Sequence, residues 1–158
     1  MDIYLHLPGI VGPSIDKAHK DWIEVTSVTW GVEGTRNPGR GGGGGGAGRA
    51  TQHPLIVSTT TSIATPLLFE AVAKGTRFAT AALEVVRATA GAADVVHRWE
   101  FEDVQVVMLD VAGAEPGFTD VFELTSARTR LTVSAQDPRG GAGTPVTEGW
   151  DFTAQRAW

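Results

Sequence analysis

The residues best suited to chemistry are sparse in this sequence and lie far apart. It contains four histidines and no cysteine, so cysteine nucleophiles and thiolate metal sites are excluded. Asp16, His19 and Asp21 fall within one loop-like segment, and carboxylate and imidazole groups together can ligate a metal ion. The same cluster also suits a solvated loop whose side chains cap its own backbone. We favour the loop and predict no metal site.

Three neighbouring acidic residues are a second candidate, for acid–base catalysis. Glu100, Glu102 and Asp103 could supply one protonated and one ionised carboxyl group. However, Glu100 and Glu102 alternate with Trp99 and Phe101, the ordinary pattern of a strand with one wet and one dry face. The sequence also lacks a G-x-S-x-G nucleophile elbow. We therefore predict no catalytic residue and no cofactor.

A run of glycines dominates residues 34–50. Eight of the 20 glycines lie between Gly39 and Gly48. A phosphate-binding loop ends in Lys followed by Ser or Thr and opens a helix. Here Arg49 and Ala50 follow the run, and a strand pattern comes next. The run predicts a flexible loop over 34–50 and no nucleotide site.

Charge and hydropathy exclude two classes of partner. The formal net charge is −5, from 18 acidic and 13 basic residues, without a basic stripe, so a phosphate backbone would be repelled. No apolar run approaches the roughly 18 residues of a membrane-spanning helix. The N-terminal residues lack the basic region and cleavage site of a signal peptide. We predict a protein that starts in the cytoplasm, binds no nucleic acid and does not insert in a membrane.

Strand signals dominate the elements that would position these residues. The alternation of apolar residues changes phase within 22–34 and again within 119–135, which requires a bulge or a passage between two environments. Such strands suit a coiled or closed sheet. We predict a mainly β fold, a β-barrel of two coiled antiparallel sheets, as a single domain over residues 1–158. Strands are predicted over 3–7, 22–34, 53–61, 76–88, 95–102, 104–111, 119–135 and 145–156.

One short amphipathic α-helix is predicted within this β-rich pattern. Thr65 suits the N-cap, Pro66 the first helical position and Gly75 the C-terminal stop. Among the five tryptophans, which could stack a sugar or a base, Trp30 and Trp150 fall within strand patterns and are predicted to fill the core. The apolar stripe of the helix consists of Leu68, Ala71 and Val72.

An ordered set of short motifs resembles the haemolysin-coregulated protein (Hcp) family, the tube proteins of the bacterial type VI secretion system. These motifs are GIVGPSIDKAH from Gly9, SVTWG from Ser27, the run GGGGGGAGR, the helix ending at Gly75, and GWD from Gly149. The motif residues to which the resemblance assigns a structural role are Gly9, Gly12, Ser14, Asp16, His19, Trp30, Gly31, Pro66, Gly75, Gly149 and Trp150.

The resemblance implies a structural subunit rather than an enzyme. It implies a homo-hexamer whose rings stack into a tube, which a contractile sheath propels and a spike protein tips. It further implies that the tube carries effectors. The protein would be cytoplasmic before firing and then secreted without a signal peptide. The end of the chain falls within the last strand pattern, so no fused effector domain is expected.

Two sets of residues become assembly candidates. Ser27 and Thr29 lie opposite the apolar face of their predicted strand, so their small hydroxyls would suit a wet lumen wall that contacts effectors. On a lone barrel they would simply face solvent. The glycine run can mould itself to a neighbouring ring, or it can be a plain loop. The candidate ring-stacking residues are Gly39, Arg40, Gly41, Gly42, Gly43, Gly44, Gly45, Gly46, Ala47, Gly48 and Arg49.

Two other classes of function compete with the tube subunit. A monomeric β-barrel that binds a small ligand would need a cavity lined by apolar residues. An enzyme using loop carboxylates or His19 would need a cluster of perturbed titratable groups, which the sequence does not display. A phage-type tail tube protein is a close variant of the tube-subunit hypothesis and depends on the same physical arguments.

Overall fold

The computed structural model of the chain describes residues 1–35, 48–89, 92–138 and 140–158. Most of these residues lie in strands, as their β-branched and aromatic side chains favour. In chain order the elements are β1 Asp2–His6, β2 Ile23–Val25, β3 Ser27–Thr29, β4 Val32–Gly34, β5 Ala50–Gln52, β6 Leu55–Thr60, α1 Ala64–Lys74, β7 Arg77–Thr89, β8 Ala92–Ala114, β9 Gly117–Gln136, β10 Ala142–Asp151 and β11 Arg156–Ala157.

Nine of the described strands form one antiparallel sheet. Its order is β11, β10, β9, β8, β7, β1 and β2, while β6 pairs with β9 and β3 pairs with β6. Strands β4 and β5 form a separate pair. The mainly β, antiparallel fold with one short helix is confirmed. The predicted barrel needs a correction, because no ladder within the described residues joins β2 to β6 and the sheet does not close.

The predicted second strand divides at Thr26, which explains its change of phase. Before this residue, Ile23 and Val25 of β2 are buried and pair with β1. After it, the core-facing position moves to Val28 of β3, which pairs with β6. The Thr26 N–H donates to the Ser58 carbonyl at 2.8 Å, at the point where the chain changes its partner strand. The phase change therefore marks a passage between two neighbours.

Strand β8 joins two predicted strands into one of 23 residues. The predicted break falls at Asp103, where φ is 52° and the backbone enters the left-handed region that Asp tolerates better than most residues. On either side of it, Glu102 pairs with Thr80 and Val104 pairs with Phe78 of β7. The strand therefore bends at Asp103 without ending.

The helix begins two residues earlier than predicted, so Pro66 is its third residue and Thr65 is not its N-cap. Ile63 occupies that position without a side-chain cap, while Thr65 lies inside the helix and its hydroxyl donates to the Asp120 carboxylate. The C-terminal stop at Gly75 is confirmed, with φ 62° and ψ 38°. Ile63 and Phe69 are exposed, so the outer face is partly apolar. The buried face consists of Ala64, Leu68 and Ala71, with Val72 partly buried.

The core lies between the inner faces of the sheet and the helix. Phe122 of β9 is fully buried and pairs with Val57 of β6 and Leu109 of β8. A fully buried side chain of this size contributes several kcal/mol through apolar burial and close contacts. The other fully buried core side chains include Leu5, Leu7, Ile23, Leu55, Leu68, Leu83, Val104 and Val106.

Replacing Gly12 with alanine should destabilise the fold by about 2–3 kcal/mol. A Cβ at this position would overlap the Trp22 carbonyl, and backbone rather than a flexible side chain would have to move. The control is Gly34→Ala, where a Cβ would meet nothing within 4 Å. Urea denaturation of both variants checks this expectation, and equal losses would contradict it.

Candidate assembly surface

Ser27 and Thr29 lie on an exposed face formed by strands β3 and β6. Both residues are exposed, and they pair with Ser58 and Ile56. Val28 between them turns towards the core. The structure thus places both predicted residues on one solvent-facing surface, as the alternation requires. We call this surface, formed by Ser27, Thr29, Ser58 and Ile56, the β3–β6 outer face.

Strand β10 has an open edge. Among the described residues, one side pairs with β9 from Pro145 to Asp151, whereas β11 covers the other side only at Trp150 and Asp151. The Gly149 carbonyl accepts the Trp158 N–H at 3.1 Å on this other side. Backbone groups alternate along an antiparallel strand, so those of Thr147 also point away from β9. Val146 on this strand is 68% exposed.

The described base of the glycine segment is closed by two hydrogen bonds between Thr35 and Arg49. Thr35 N–H donates to the Arg49 carbonyl at 3.2 Å, and Arg49 N–H donates to the Thr35 hydroxyl at 2.8 Å. Gly48 has no room for a Cβ beside the Thr35 carbonyl. Of the candidate ring-stacking residues, Gly39 to Ala47 lie outside the described residues. The base at Gly48 and Arg49 therefore sets where the segment leaves the fold.

A charged row crosses β8, β9 and β10 on the outer face of the sheet. Arg128 donates from Nη1 to Glu102 and from Nε to Asp151, each at 2.9 Å. Two backbone N–H groups, from Ala154 at 2.7 Å and Thr153 at 2.9 Å, also donate to Asp151. The Ala154 N–H, and then Arg128, lower the pKa of the Asp151 carboxyl. This row ties the end of β10 to the centre of the sheet.

Replacing Asp151 with asparagine should lower stability most at neutral pH. The folded state depresses the pKa of this carboxyl, so its stabilisation is complete above the unfolded value of about 3.9 and is lost as the pH falls through the folded pKa. Wild-type and variant melting temperatures should therefore converge in acid. The control is Asp110→Asn, an exposed position on β8. A pH-independent difference for Asp151→Asn would contradict the expectation.

The loop of residues 8–22 carries several motif residues, and the structure gives each a local role. Gly9 has φ 90° and follows Pro8 in a turn closed by the Ile10 N–H at 3.0 Å from the Leu7 carbonyl. Ser14 is buried, and its hydroxyl accepts the Asp16 N–H at 3.2 Å. These contacts fit the predicted loop whose side chains cap its backbone.

His19 sits at the inner end of this loop and is 4% exposed. Its Nδ1 lies 2.8 Å from Asp16 Oδ1 and its Nε2 lies 2.7 Å from Glu84 Oε2. The Asp16 pKa is lowered, chiefly by the side-chain hydrogen bond from His19. Arg98 donates to the other oxygen of Glu84. Glu84 gave no sequence signal of this role, because its partner lies 65 residues away along the chain.

The three acidic residues that were considered for acid–base catalysis are engaged in ion pairs. Asp103 accepts from Arg77 at 2.8 Å, Glu102 accepts from Arg128, and Glu100 lies 3.6 Å from Arg98. Within the described ranges, no group of three His, Cys, Asp or Glu side chains could hold a metal ion. Asp103 and Glu102 therefore belong to cross-strand charge pairs, whereas Glu100 pairs with Arg98 on its own strand.

The tryptophans divide between the core margin and a groove. Trp30, predicted to fill the core, is only partly buried and packs against its margin. Trp150 is only half-buried and, with Trp30 and Phe152, lines a groove of about 540 Å³. Trp158 lies under the Arg130 guanidinium, 4.1 Å from ring centroid to Cζ, in a cation–π contact. Gly149 allows this close approach, since a Cβ there would meet the Trp158 carbonyl.

Two motif residues support short turns. A Cβ at Gly31 would lie 3.3 Å from Nδ1 of His53, and the Gly31 carbonyl accepts the His53 N–H at 2.9 Å. Pro66 is exposed in the first turn of the helix, where a backbone N–H would have no intrahelical acceptor, so proline loses no helical hydrogen bond there.

Sequence reasoning missed Asp120, which is buried and accepts from the hydroxyls of Thr61 and Thr65.

Comparison with known proteins gives this fold a family. Residues 4–136 match the family model described as "Type VI secretion system effector, Hcp". The chain belongs to the Hcp family. Hcp proteins are secreted structural components of the type VI secretion system rather than enzymes. The predicted resemblance is therefore confirmed.

Solved Hcp structures resemble the chain over nearly its whole length. One, described as "Structure of a type six secretion system protein", has 27% identity and a TM-score of 0.89, covering 99% of each chain. Hcp1 from Salmonella typhimurium has 25% identity and a TM-score of 0.81, covering 99% of this chain and 98% of its own. Hcp3 from Pseudomonas aeruginosa shares the fold, with 16% identity, a TM-score of 0.66 and coverage of 94% and 97%.

No curated protein matches the sequence of this chain significantly. Among the helices in the described part of the chain, none has the length and apolar character needed to cross a membrane.

Proposed function

We propose that this Hcp chain is a subunit of the inner tube of a type VI secretion system, forming hexameric rings that stack and carry effectors. The observation that carries the proposal is the family match over residues 4–136. On this proposal the contractile sheath surrounds the stacked rings and a spike protein tips them. The subunit assembles in the cytoplasm and leaves the cell without a signal peptide when the sheath contracts.

The open edges of the sheet support ring formation. A closed ring with a head-to-tail contact needs two different surfaces on each copy. The open edge of β10 is one candidate, and β3, which pairs only with β6 among the described residues, is the other. Unpaired backbone groups on such edges are satisfied when another strand adds to them. We therefore assign the ring contact to β10 of one copy and β3 of the next.

The β3–β6 outer face supports a polar lumen wall. Its Ser27 and Thr29 hydroxyls are small and exposed, and Ser58 lies beside them on β6. Small neutral side chains give a surface that water can wet and that does not bind varied cargo strongly. The remaining candidates, Gly39 to Arg49, are assigned to contact between stacked rings, with their base at the Thr35–Arg49 pair.

Light scattering on the purified protein, followed by negative-stain microscopy of the same peak, tests the proposal. We expect a mass near six times the 16.6 kDa of the chain and annular particles. A monomer at every protein and salt concentration tested, without annular particles, would refute the proposed assembly into hexameric rings. The search would then move to a ligand of a monomeric β protein.

A further inference from the structure

The free edge of β10 offers a restricted set of backbone groups. Just after this strand, the Phe152 N–H donates to the Ala127 carbonyl of β9 at 2.9 Å. Because backbone groups alternate along a strand, those of Pro145 and Thr147 point away from β9, to the free edge. Proline has no N–H, so Pro145 presents a carbonyl only, whereas Thr147 presents both an N–H and a carbonyl.

Further along the strand the same edge is covered. Strand β11 pairs with Trp150 and Asp151, and the Trp158 N–H donates to the Gly149 carbonyl at 3.1 Å. The Arg130 guanidinium lies 4.1 Å from the centre of the Trp158 ring and holds this residue in place. A strand that adds to β10 therefore ends before Gly149.

The free edge of β3 presents the backbone of Val28. Just after β6, the Thr61 N–H donates to the Phe118 carbonyl of β9 at 3.1 Å. The odd-numbered residues of β6 therefore point to β9 and the even-numbered ones to β3, where they pair with Ser27 and Thr29. The N–H and carbonyl of Val28 point the other way, and within the described residues they meet no partner strand there.

The faces of the side chains decide the direction of an added strand. Val28 faces the core, whereas Thr147 lies on the outer face, four residues from Asp151 of the charged row. In an antiparallel pair, residues that bond to each other lie opposite and share a face, so this pairing would join a core face to an outer face. In a parallel pair, a residue bonds to the two residues that flank its opposite number, so the two core faces stay on one side.

We propose that β3 of one copy adds to β10 of the next as a parallel strand, with Val28 opposite Val146. In this register the Val28 N–H donates to the Pro145 carbonyl, and the Thr147 N–H donates to the Val28 carbonyl. The contact does not need the N–H that proline lacks. Val146 is 68% exposed and Val133 beside it is 38% exposed, and Val28 extends this apolar layer on the core side. This inference rests on the proposed ring.

Two residues fix this register. A shift that sets Val28 opposite Thr144 calls for an N–H from Pro145, which has none. A shift in the other direction calls for the N–H of Gly149, where Trp158 covers the edge. Each shift would displace the next copy by about 7 Å along the strand, and such steps repeated around the ring would give an open helix instead of a closed ring.

Cysteine cross-linking tests the register, because the chain contains no cysteine of its own. Thr29 and Thr147 are exposed, and the proposed register sets them opposite each other with Cα atoms about 5 Å apart, within disulfide range. Oxidised Thr29→Cys/Thr147→Cys should run as a ladder up to the hexamer on a non-reducing gel. The control Ser27→Cys/Thr147→Cys sets its Cα atoms about 8 Å apart and should give at least about 10-fold less cross-linked product.

A second pair and a proline variant extend the test. Val28→Cys/Val146→Cys examines the same register on the core side and should also cross-link. In the Thr29→Cys/Thr147→Cys background, Pro145→Val supplies an N–H, so two registers compete and the yield should fall about twofold. An unchanged yield would contradict the role of Pro145.

The outcomes separate this contact from the proposed function. Rings in which neither matched pair cross-links overturn the parallel contact and leave the proposed tube subunit standing. Equal cross-linking in the Thr29 and Ser27 variants overturns the contact in the same way. A wild-type protein that stays monomeric overturns both. Light scattering of each reduced variant establishes that rings are intact before oxidation.

Discussion

Replacing Phe122 with alanine will lower the free energy of unfolding by about 3–5 kcal/mol. The side chain is fully buried on β9, between Val57 and Leu109 of the flanking strands, so its removal leaves a cavity at the centre of the core. Small domains have a total stability of about 5–15 kcal/mol. A large part of the folded population would therefore be lost on mild heating. Urea denaturation monitored by tryptophan fluorescence measures the loss.

The matched control is Phe118→Ala, on the same strand and face four residues earlier. Phe118 is 60% exposed and its ring covers Gly113 of β8, so the expected loss is below about 1 kcal/mol. The two variants remove the same atoms and differ in burial. Comparable losses in both would show that the centre of the core does not lie at Phe122.

Replacing Thr147 with proline will abolish ring formation, if the open edge of β10 is the ring contact we propose. The backbone groups of Thr147 point away from β9, so proline removes a donor from the open edge and leaves the β9 ladder intact. Pro145 already occupies an equivalent position two residues earlier. We expect annular particles to disappear, while the melting temperature of the subunit changes by no more than about 4 °C.

Thr147→Ala is the control for this experiment. It removes the same hydroxyl, which lies 2.8 Å from the Thr132 hydroxyl, but keeps the backbone N–H. Rings should therefore persist in Thr147→Ala. Rings that persist in Thr147→Pro as well would move the contact to another surface, and their loss in both variants would assign it to the side chain.

Local signals in the sequence predicted much of the fold. Period-two alternation placed the strands, and glycine at position 75 placed the end of the helix, because each depends on residues close together in the chain. The phase change in the second strand predicted a passage between two environments, and the structure places that passage at Thr26. The exposure of Ser27 and Thr29 followed from the same alternation.

Errors arose where a distant partner changed the role of a residue. Thr65 has the side chain of a good N-cap, but Asp120, 55 residues away, takes its hydroxyl, so the helix starts before it. Asp103 stands where a turn would end a strand, yet pairing with β7 on both sides carries the strand through. Trp150 follows a core pattern, but it lies in a groove because β10 is near the edge of the sheet.

The sequence alone determined the class of this protein: a cysteine-free, mainly β chain whose ordered motifs resemble the Hcp family. Only the tertiary structure decided which charges meet. His19 reaches Glu84, 65 residues away, and Arg128 reaches Glu102 and Asp151 on two other strands. Composition and periodicity report which face of a strand is buried, because burial depends on each residue's own hydrophobicity. Pairing of charges depends on the register of distant strands, which the whole sheet sets at once.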